Sequence, residues 1–291
     1  MKIKEVGIIG SGQMGNGIAH VSALAGYKVV LIDIAETALT KALETIEKNL
    51  KRQVQREKIS QEEMDKALGN ISTNIDSKAL KNADLIIEAA TENFDLKVKI
   101  FKGILEHIKK DCLLSTNTSS LSITKLAAVT DRPDKFIGLH FMNPVPVMKL
   151  VEIIPGIATS DEMLETTKQF ALSLGKTIAT AEDFPAFIAN RILLPMINEA
   201  VYALYEGVGD IKSIDTSMKL GMGHPMGPLE LADFVGLDTC LAILNVLYEG
   251  FGNPKYSPCP LLVKYVEAGW YGVKSGKGFY DYSGDKPVPT R

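Results

Sequence analysis

The stretch VGIIGSGQMG at residues 6–15 decides the fold, because a short apolar run ends there in a glycine-rich turn. The apolar positions of the residues that follow, up to Gly26, recur at helical spacing. KVVLIDI at residues 28–34 is a β-branched run, typical of a parallel strand that is covered on both faces. The chain therefore begins with a strand–helix–strand unit, and its turn carries the G-x-G-x-x-G pattern of dinucleotide-binding proteins in the expected setting.

Each residue of this turn has its own predicted role. Gly10 permits the tight turn, Gly12 lets the backbone approach a pyrophosphate, and Gly15 lets the helix pack closely on the strand. Gln13 and Met14 open the helix, whose N-terminus then faces the phosphates. A glycine-rich turn without a ligand is the structural alternative.

Asp33 argues against that alternative and selects the cofactor. It falls at the end of the second predicted strand, where an acid accepts hydrogen bonds from the ribose hydroxyls and repels an added 2′-phosphate. Ile34 and Ala35 supply no cation that would neutralise such a phosphate. The sequence therefore predicts NAD(H) rather than NADP, although the glycine pattern alone also permits FAD.

The rest of the first half alternates between apolar runs and helical stretches. Helices are predicted over about 36–58, over 60–68 behind a Ser60–Glu63 capping box, and over 159–174. Further strands are predicted near 83–90, 112–117, 135–141, 149–154 and 176–182, and the pair joined by NPVPV resembles a hairpin. This alternation predicts a Rossmann-type, doubly wound α/β domain with a mostly parallel sheet over residues 1–182.

From residue 183 onward the sequence shows almost only helical periodicity. We therefore expect an all-helical domain over 183–291 that contributes to substrate binding. Its segments are too apolar to be exposed individually, so a homodimer formed through this half is a natural hypothesis.

The composition narrows the class of protein. With 46% hydrophobic residues, 23% charged residues and a net charge of -3, the chain is an ordinary soluble sequence, and nucleic acid is not an expected partner. The three cysteines lack the spacing of a metal site or a disulfide framework, which favours the reducing cytoplasm. Neither a signal segment nor eighteen consecutive apolar residues occur, so no membrane association is expected.

Four histidines are available as a base for an alcohol proton. His20 and His107 lie in predicted helices and His224 in a turn, whereas His140 ends a predicted strand at the sheet edge where ligands collect. From its position alone, His140 fits a catalytic residue and a core residue equally well. Glu152 lies in the apolar run KLVEII and needs a partner, unless it faces solvent on an edge strand; His140 is the obvious partner.

Two further groups of polar residues stand out. Asn117, Thr118, Ser119 and Ser120 follow the predicted strand CLLSTN, so they would emerge at the same edge as the cofactor, although their composition also fits a helix cap. Asn190 lies inside an apolar helix, where an amide needs a hydrogen-bond partner.

Six motifs in order, GSGQMG, NTSSLSIT, HFMNPVPVMKLVEII, PAFIANRILLPMINEA, HPMGPLELAD and KSGKGFYDY, make the chain resemble the 3-hydroxyacyl-CoA dehydrogenase family, in particular its short-chain bacterial members. The resemblance covers nearly the whole chain. It implies NAD-dependent interconversion of a short-chain (S)-3-hydroxyacyl-CoA and its 3-oxoacyl-CoA.

The resemblance also implies roles for individual residues. His140 and Glu152 would form the acid/base pair, with Ser119 and Asn190 binding the substrate. Contacts around the cofactor would come from Glu92, Lys97, Asn117, Ser119, Asn143 and Lys274. Without the resemblance, Glu92 looks like a helix-start acid and Lys97 like a solvated lysine.

For coenzyme A, the comparable region is the helix after Asp33. Its candidate phosphate-binding residues are Asn49, Lys51, Arg52 and Arg56. Because Glu47 and Glu57 interleave with these bases, a solvated helix face is the alternative.

Two positions depart from the family pattern. Ala186 stands where the family commonly has glycine, so any special glycine backbone geometry there is expected to be dispensable or shifted. Met142 replaces a more usual phenylalanine and would alter the shape of the pocket. Two other functions stay open: a dehydrogenase of a free 3-hydroxy acid, and a non-catalytic NAD-binding protein.

Overall fold

The computed structural model describes residues 2–291 and divides into two compact units, which we describe separately. The first unit ends at Phe187 and the second comprises Ile188–Arg291. Among these residues, the first unit contains six α-helices: α1 Gln13–Leu24, α2 Glu36–Gln55, α3 Gln61–Gly69, α4 Phe94–Ile104, α5 Ile123–Ala127 and α6 Asp161–Ser173.

An eight-stranded sheet forms the centre of the first unit. Its strands are β1 Glu5–Ile9, β2 Lys28–Ile32, β3 Ile71–Asn74, β4 Leu85–Glu88, β5 Leu113–Thr116, β6 Phe136–Phe141, β7 Leu150–Pro155 and β8 Thr177–Thr180. They are ordered β3-β2-β1-β4-β5-β6-β7-β8. The chain thus reverses its direction of winding between β1 and β4, which places a ligand crevice at the carboxyl ends of these strands.

All neighbouring strands run parallel except β6 and β7, which are antiparallel. The predicted doubly wound, mostly parallel sheet and its hairpin-like pair are confirmed. The sequence did not predict β3, because ISTN alternates half-buried and exposed residues at the sheet edge and contains no apolar run.

The central strands send alternate side chains into two cores. Ile8 and Ile87 pack in the cluster that includes residues of α1, α2 and α3. Ile9 and Ile86 belong to the cluster on the opposite face, which includes residues of α4 and α5. Because both faces are covered, the strand ends that carry the polar groups are held in fixed positions.

Local sequence signals set the helix ends. The Ser60 side chain accepts a hydrogen bond from the Glu63 backbone, and the Glu63 carboxylate accepts one from the Ser60 backbone, so the predicted capping box is confirmed. The preceding helix, α2, ends at Gln55, three residues before its predicted end.

The second unit is helical, as predicted, apart from a short hairpin. Its helices are α7 Ala189–Tyr205, α8 Ile211–Thr216, α9 Pro228–Val235, α10 Leu237–Phe251 and α11 Pro260–Glu267, and its hairpin pairs β9 Tyr280–Asp281 with β10 Val288–Pro289. Within residues 2–291, no single helix has the length and apolar character needed to cross a membrane; α9 and α10 meet those criteria only as a pair, which bends by 96°.

The units divide five residues after the predicted boundary at 182/183. Asp183 belongs to the first unit because its carboxylate accepts hydrogen bonds from the backbone of Ile123 and Thr124, at the start of α5. Phe187 belongs to the core cluster beside α4 and α5. Residues 183–187 therefore pack on the sheet domain rather than starting the helical one.

The backbone just before this division adopts the left-handed region. Ala186 has φ 63° and Phe187 has φ 52°, a conformation that glycine adopts more easily than other residues. The expectation that the glycine geometry is dispensable or shifted is therefore wrong. Alanine adopts that geometry itself, and α7 accordingly begins only at Ala189.

Candidate active site

The glycine turn between β1 and α1 has the geometry that its sequence predicts. Gly10 has φ 98°, and a Cβ atom there would lie 2.7 Å from the carbonyl oxygen of Ala89. A Cβ atom on Gly15 would lie within bonding distance of the Gly10 carbonyl oxygen, so this helix–turn contact requires glycine. A Cβ atom on Gly12 would meet nothing within 4 Å.

Gly12 is also the N-cap of α1, with no side-chain cap, and Gln13 and Met14 follow it as the first residues of the helix. The first backbone N–H groups of a helix have no partner within it, and the helix dipole there favours an anion. The open space above Gly12 and the uncapped helix end both fit a pyrophosphate.

Asp33 lies beside this turn. Its Oδ2 accepts hydrogen bonds from the backbone and the hydroxyl of Ser11 at 2.8 and 2.7 Å. Burial favours a higher pKa for the Asp33 carboxyl, but the hydrogen bonds from Ser11 and Ala35 outweigh it and hold the pKa below its usual value. Asp33 therefore presents a carboxylate next to the glycine turn, which suits ribose hydroxyls and opposes a 2′-phosphate.

His140 and Glu152 face each other across β6 and β7. The antiparallel register pairs them directly, and His140 Nδ1 lies 2.8 Å from Glu152 Oε2. His140 is 5% exposed and Glu152 1%. With Nδ1 held by the carboxylate, Nε2 is the ring nitrogen available to a substrate hydroxyl.

A second carboxylate organises the loop that follows β5. Glu92 Oε1 accepts hydrogen bonds from the Thr118 hydroxyl at 2.5 Å, the Ser119 backbone at 2.9 Å, and both the backbone and the hydroxyl of Ser120. In the same loop, Asn117 Oδ1 accepts from the backbone of Phe141, the residue after His140. The Asn117 side chain thus ties the end of β5 to the end of β6.

Lys97 is fully buried on α4, so the interpretation as a solvated lysine is wrong. Its Nζ lies 2.8 Å from both carboxylate oxygens of Glu88 and 3.7 Å from Glu92 Oε2. Sequence reasoning missed Glu88, although the same signal that singled out Glu152 was present. An acid ends the apolar run LIIE, and a buried acid needs a partner.

Three other residues were predicted to contact the cofactor or the substrate: Asn143, Asn190 and Lys274. Asn143 is exposed in the connection from β6 to β7. In the second unit, Asn190 is half-buried in the first turn of α7, and Lys274 pairs with Asp238 at 2.5 Å.

The segment that carries Lys274 is held by the buried Asp233. The Asp233 carboxylate accepts from the backbone of Phe279 and Tyr280 and from the hydroxyl of Tyr282. Burial raises the pKa of Asp233 to about 6.

A cavity of about 770 Å³ lies in the first unit between α1, α2 and the connection from β6 to β7. Of the predicted coenzyme A residues, Asn49, Arg52 and Arg56 line it, at spacings that share one helix face. Lys51 is instead paired with Glu47 at 2.5 Å outside this cavity.

Sequence reasoning missed the three lysines that complete the cationic lining: Lys58, Lys149 and Lys176. Lys58 lies two residues after Arg56, whereas Lys149 and Lys176 are distant in sequence and only the fold brings them to this cavity. Among the described residues that line the cavity, none is acidic. The cavity is therefore strongly cationic in a chain whose net charge is -3.

The fold and the site together define an NAD-dependent oxidoreductase, and comparisons with known proteins identify the family. A model of the NAD-binding domain of 3-hydroxyacyl-CoA dehydrogenase matches residues 5–184, and a model of the C-terminal domain matches residues 187–282. The chain belongs to the 3-hydroxyacyl-CoA dehydrogenase family. This confirms the family resemblance that the sequence motifs indicated.

Individual relatives are similar over nearly the whole chain. The 3-hydroxybutyryl-CoA dehydrogenase of Bradyrhizobium diazoefficiens is 59% identical over 289 residues, which cover 99% of either chain. The crystal structure of (S)-3-hydroxybutyryl-CoA dehydrogenase from Ralstonia eutropha is 49% identical, with a TM-score of 0.95 over 97% of this chain and 100% of that one. A solved diketoreductase is 31% identical, with a TM-score of 0.85 over the same shares.

Replacing Gly12 or Gly15 by alanine distinguishes an effect on cofactor binding from an effect on folding. We expect Gly12→Ala to leave the melting temperature within a few degrees of wild type and to weaken NADH binding at least about tenfold, because its methyl group enters the space needed by the pyrophosphate. Gly15→Ala is expected to cost roughly 1–3 kcal/mol of folding stability, because its methyl group overlaps the Gly10 carbonyl. NADH fluorescence titration and thermal unfolding measure both effects, and unchanged NADH affinity in Gly12→Ala would contradict the assignment.

Proposed function

We propose that the chain interconverts (S)-3-hydroxybutyryl-CoA and acetoacetyl-CoA with NAD(H), as a 3-hydroxybutyryl-CoA dehydrogenase. The observation that carries this proposal is the buried hydrogen bond between His140 and Glu152, in a unit whose glycine turn fits a dinucleotide. The names of the similar proteins support the same reaction, and the name of the Ralstonia eutropha enzyme specifies the (S) configuration.

The pair provides a base whose orientation is fixed. In the oxidation, His140 Nε2 takes the proton of the C3 hydroxyl, and the Glu152 carboxylate stabilises the imidazolium that forms. When bound, the nicotinamide supplies the acceptor for the hydride from C3. In the reduction, the His140 imidazolium returns the proton to the same oxygen. Burial of the pair strengthens this stabilisation, because little water competes for the carboxylate.

Ser119 and Asn190 are proposed to bind the substrate oxygens. Hydrogen bonds from side chains held in place keep the reacting carbon aligned, and such alignment contributes to the rate. For Ser119 the support is its loop, whose backbone Glu92 fixes with hydrogen bonds. For Asn190 the support is its position at the start of α7 and the family pattern.

The cationic cavity favours a coenzyme A thioester over a free 3-hydroxy acid. Coenzyme A carries several phosphate charges, and Arg52 and Arg56 provide fork-shaped donors for them. A free acid has one carboxylate and would use one cation close to the base. The diketoreductase, named for dicarbonyl substrates, is the reason to test the alternative.

His140→Gln and Glu152→Gln are expected to lower kcat by roughly two to four orders of magnitude, because the first removes the base and the second its counter-charge. Reduction of acetoacetyl-CoA, followed by NADH absorbance, measures the loss. NADH affinity should stay within about twofold of wild type in both variants, since neither residue belongs to the glycine turn.

His107→Gln is the matched control, because it makes the same chemical change at a histidine without a proposed role. It should retain wild-type kcat. Turnover near the wild-type level in either variant of the pair would refute the assignment, and a wild-type protein that binds NADH without turning over any acyl thioester would favour the non-catalytic alternative.

Arg52→Gln combined with Arg56→Gln tests the coenzyme A assignment. We expect KM for acetoacetyl-CoA to rise roughly tenfold to a hundredfold, because two charge-assisted contacts to phosphate are lost. Activity with the N-acetylcysteamine thioester, which has no phosphates, should be unchanged. Lys51→Gln is the control, since Lys51 pairs with Glu47. An equal effect on both thioesters would mean that the arginines do not bind phosphate.

A homodimer through the second unit is also proposed. Its surface exposes large apolar side chains that water solvates poorly: Ile192, Val208, Leu220, Met222 and Phe234. Sedimentation equilibrium should give a species of two chains, and Leu220→Glu with Met222→Glu should weaken it. A compact wild-type monomer at micromolar concentration would contradict this.

A cytoplasmic location is proposed as well. It is supported by Cys112, Cys240 and Cys259, which are buried free thiols.

A further inference from the structure

Glu88 is the last residue of β4, and its carboxylate is fully buried. It is also saturated with donors. Besides the two contacts from Lys97 Nζ at 2.8 Å, it accepts hydrogen bonds from the Thr116 hydroxyl and the Ala90 backbone, both at 2.6 Å. Four contacts from three donor groups therefore fix this carboxylate at the carboxyl edge of the sheet.

Folding stability alone does not account for such a pair. Removing one partner of a buried ion pair is strongly destabilising, but replacing both by apolar residues of similar volume is often neutral. An apolar pair at residues 88 and 97 would therefore complete the core cluster as well. An apolar pair would lack the Lys97 ammonium, the cation that lies near the carboxylate of Glu92.

The Lys97 ammonium lies between two carboxylates. On one side is Glu88, and on the other is Glu92, whose Oε2 is 3.7 Å away. The other oxygen of Glu92 is the acceptor for Thr118, Ser119 and Ser120. One continuous series of contacts thus leads from the interior of the sheet to the loop that carries Ser119.

We propose that Glu88 is a positioning residue for the reaction: by fixing the Lys97 ammonium it holds Glu92, and Glu92 in turn holds the loop that carries Ser119. This inference rests on the proposed function. Among residues 2–291, the hydrogen-bond donors to the Glu88 carboxylate are Lys97, Thr116 and Ala90, so this side chain acts through other residues. Lys97, being fully buried, takes part through the two carboxylates.

A second link supports this assignment. The backbone N–H of Asn117 donates to the carbonyl oxygen of Glu88, and Asn117 Oδ1 accepts from the backbone of Phe141. The strand end that Glu88 organises is therefore bonded to the residue that follows His140. Displacement of Glu88 would therefore loosen the loop that carries Ser119 and also β6, the strand that carries His140.

The decisive variant is Glu88→Leu combined with Lys97→Met, which removes the charges together and leaves an apolar pair of similar volume. Three quantities are measured: the melting temperature, kcat/KM for acetoacetyl-CoA, and hydrogen–deuterium exchange of residues 118–121. We expect a melting temperature within a few degrees of wild type, exchange at least about fivefold faster, and kcat/KM lower by roughly tenfold to a hundredfold.

Asp84→Asn is the matched control on the same strand segment. Asp84 precedes β4, pairs with Lys109 at 2.6 Å and accepts from the backbone of Lys4 and Glu5, all at the amino edge of the sheet. It should lower the melting temperature while leaving kcat/KM and the exchange of residues 118–121 unchanged. Thr116→Val, which deletes one hydrogen bond to Glu88, should shift exchange and kcat/KM in the same direction as the double variant, by a smaller factor. It decides the question if the double variant does not fold.

Unchanged exchange of residues 118–121 would overturn the proposal whatever the activity, because the loop would then not depend on Glu88. Faster exchange with wild-type kcat/KM would overturn it too, because the loop would then not matter to the reaction. If the wild-type protein fails to turn over any acyl thioester, the proposed function fails and, with it, the role in the reaction. The exchange result still decides whether Glu88 holds the loop.

Discussion

The hydrogen bond between His140 Nδ1 and Glu152 Oε2 joins two residues that pair directly across the antiparallel strands β6 and β7. In a parallel pair the connection between the strands would be a long crossover, and the partner of His140 would come from a distant part of the chain. Here the short connection through residues 142–149 returns the chain at once, and the register places the acid opposite the base. Within residues 2–291, the one antiparallel step of the eight-stranded sheet is thus the step that builds the proposed acid/base pair.

The same physical rule governs the other acids near the carboxyl edge. A carboxylate removed from water must be compensated by donors or by a cation. The buried Glu152 is compensated by an imidazole and the buried Glu88 by an ammonium with two hydrogen bonds. Glu92 is exposed, and its carboxylate binds the hydroxyls and backbone of a loop. Each compensation joins two elements that are separate in sequence. The acids therefore fix the relative positions of β4, β5, α4 and the loop after β5.

Much of the fold and of the candidate site was predictable from the sequence, because those parts depend on local patterns of residues. The glycine turn and Asp33 follow from residue types at fixed spacings, and the capping box at Ser60 is a contact within one helical turn. An acid in an apolar run likewise signalled that Glu152 needs a partner.

What escaped prediction depends on tertiary packing. The burial of Lys97 is set by α4 lying on the sheet, whereas the sequence offers only a lysine in a helix that also carries Asp95, Lys99 and Lys102 and so suggests a solvated side chain. The strand β3 is polar because it lies at an edge. The left-handed backbone at Ala186 is imposed by its surroundings, since no local preference of alanine favours it.

The connection between β6 and β7 joins the region proposed to bind the coenzyme A phosphates to the strand that carries the proposed base, His140. Lys176 is nearly buried, which lowers its pKa, and its Nζ donates to the carbonyl oxygens of Val145 and Met148. This connection is one wall of the cationic cavity, and it starts two residues after His140 and ends before Glu152. Phosphate groups bound against it would therefore be placed relative to the base by the backbone itself. Binding energy from the phosphates, far from the reacting carbon, then contributes to the alignment of that carbon. This is how contacts to remote groups of a substrate increase the rate of a reaction.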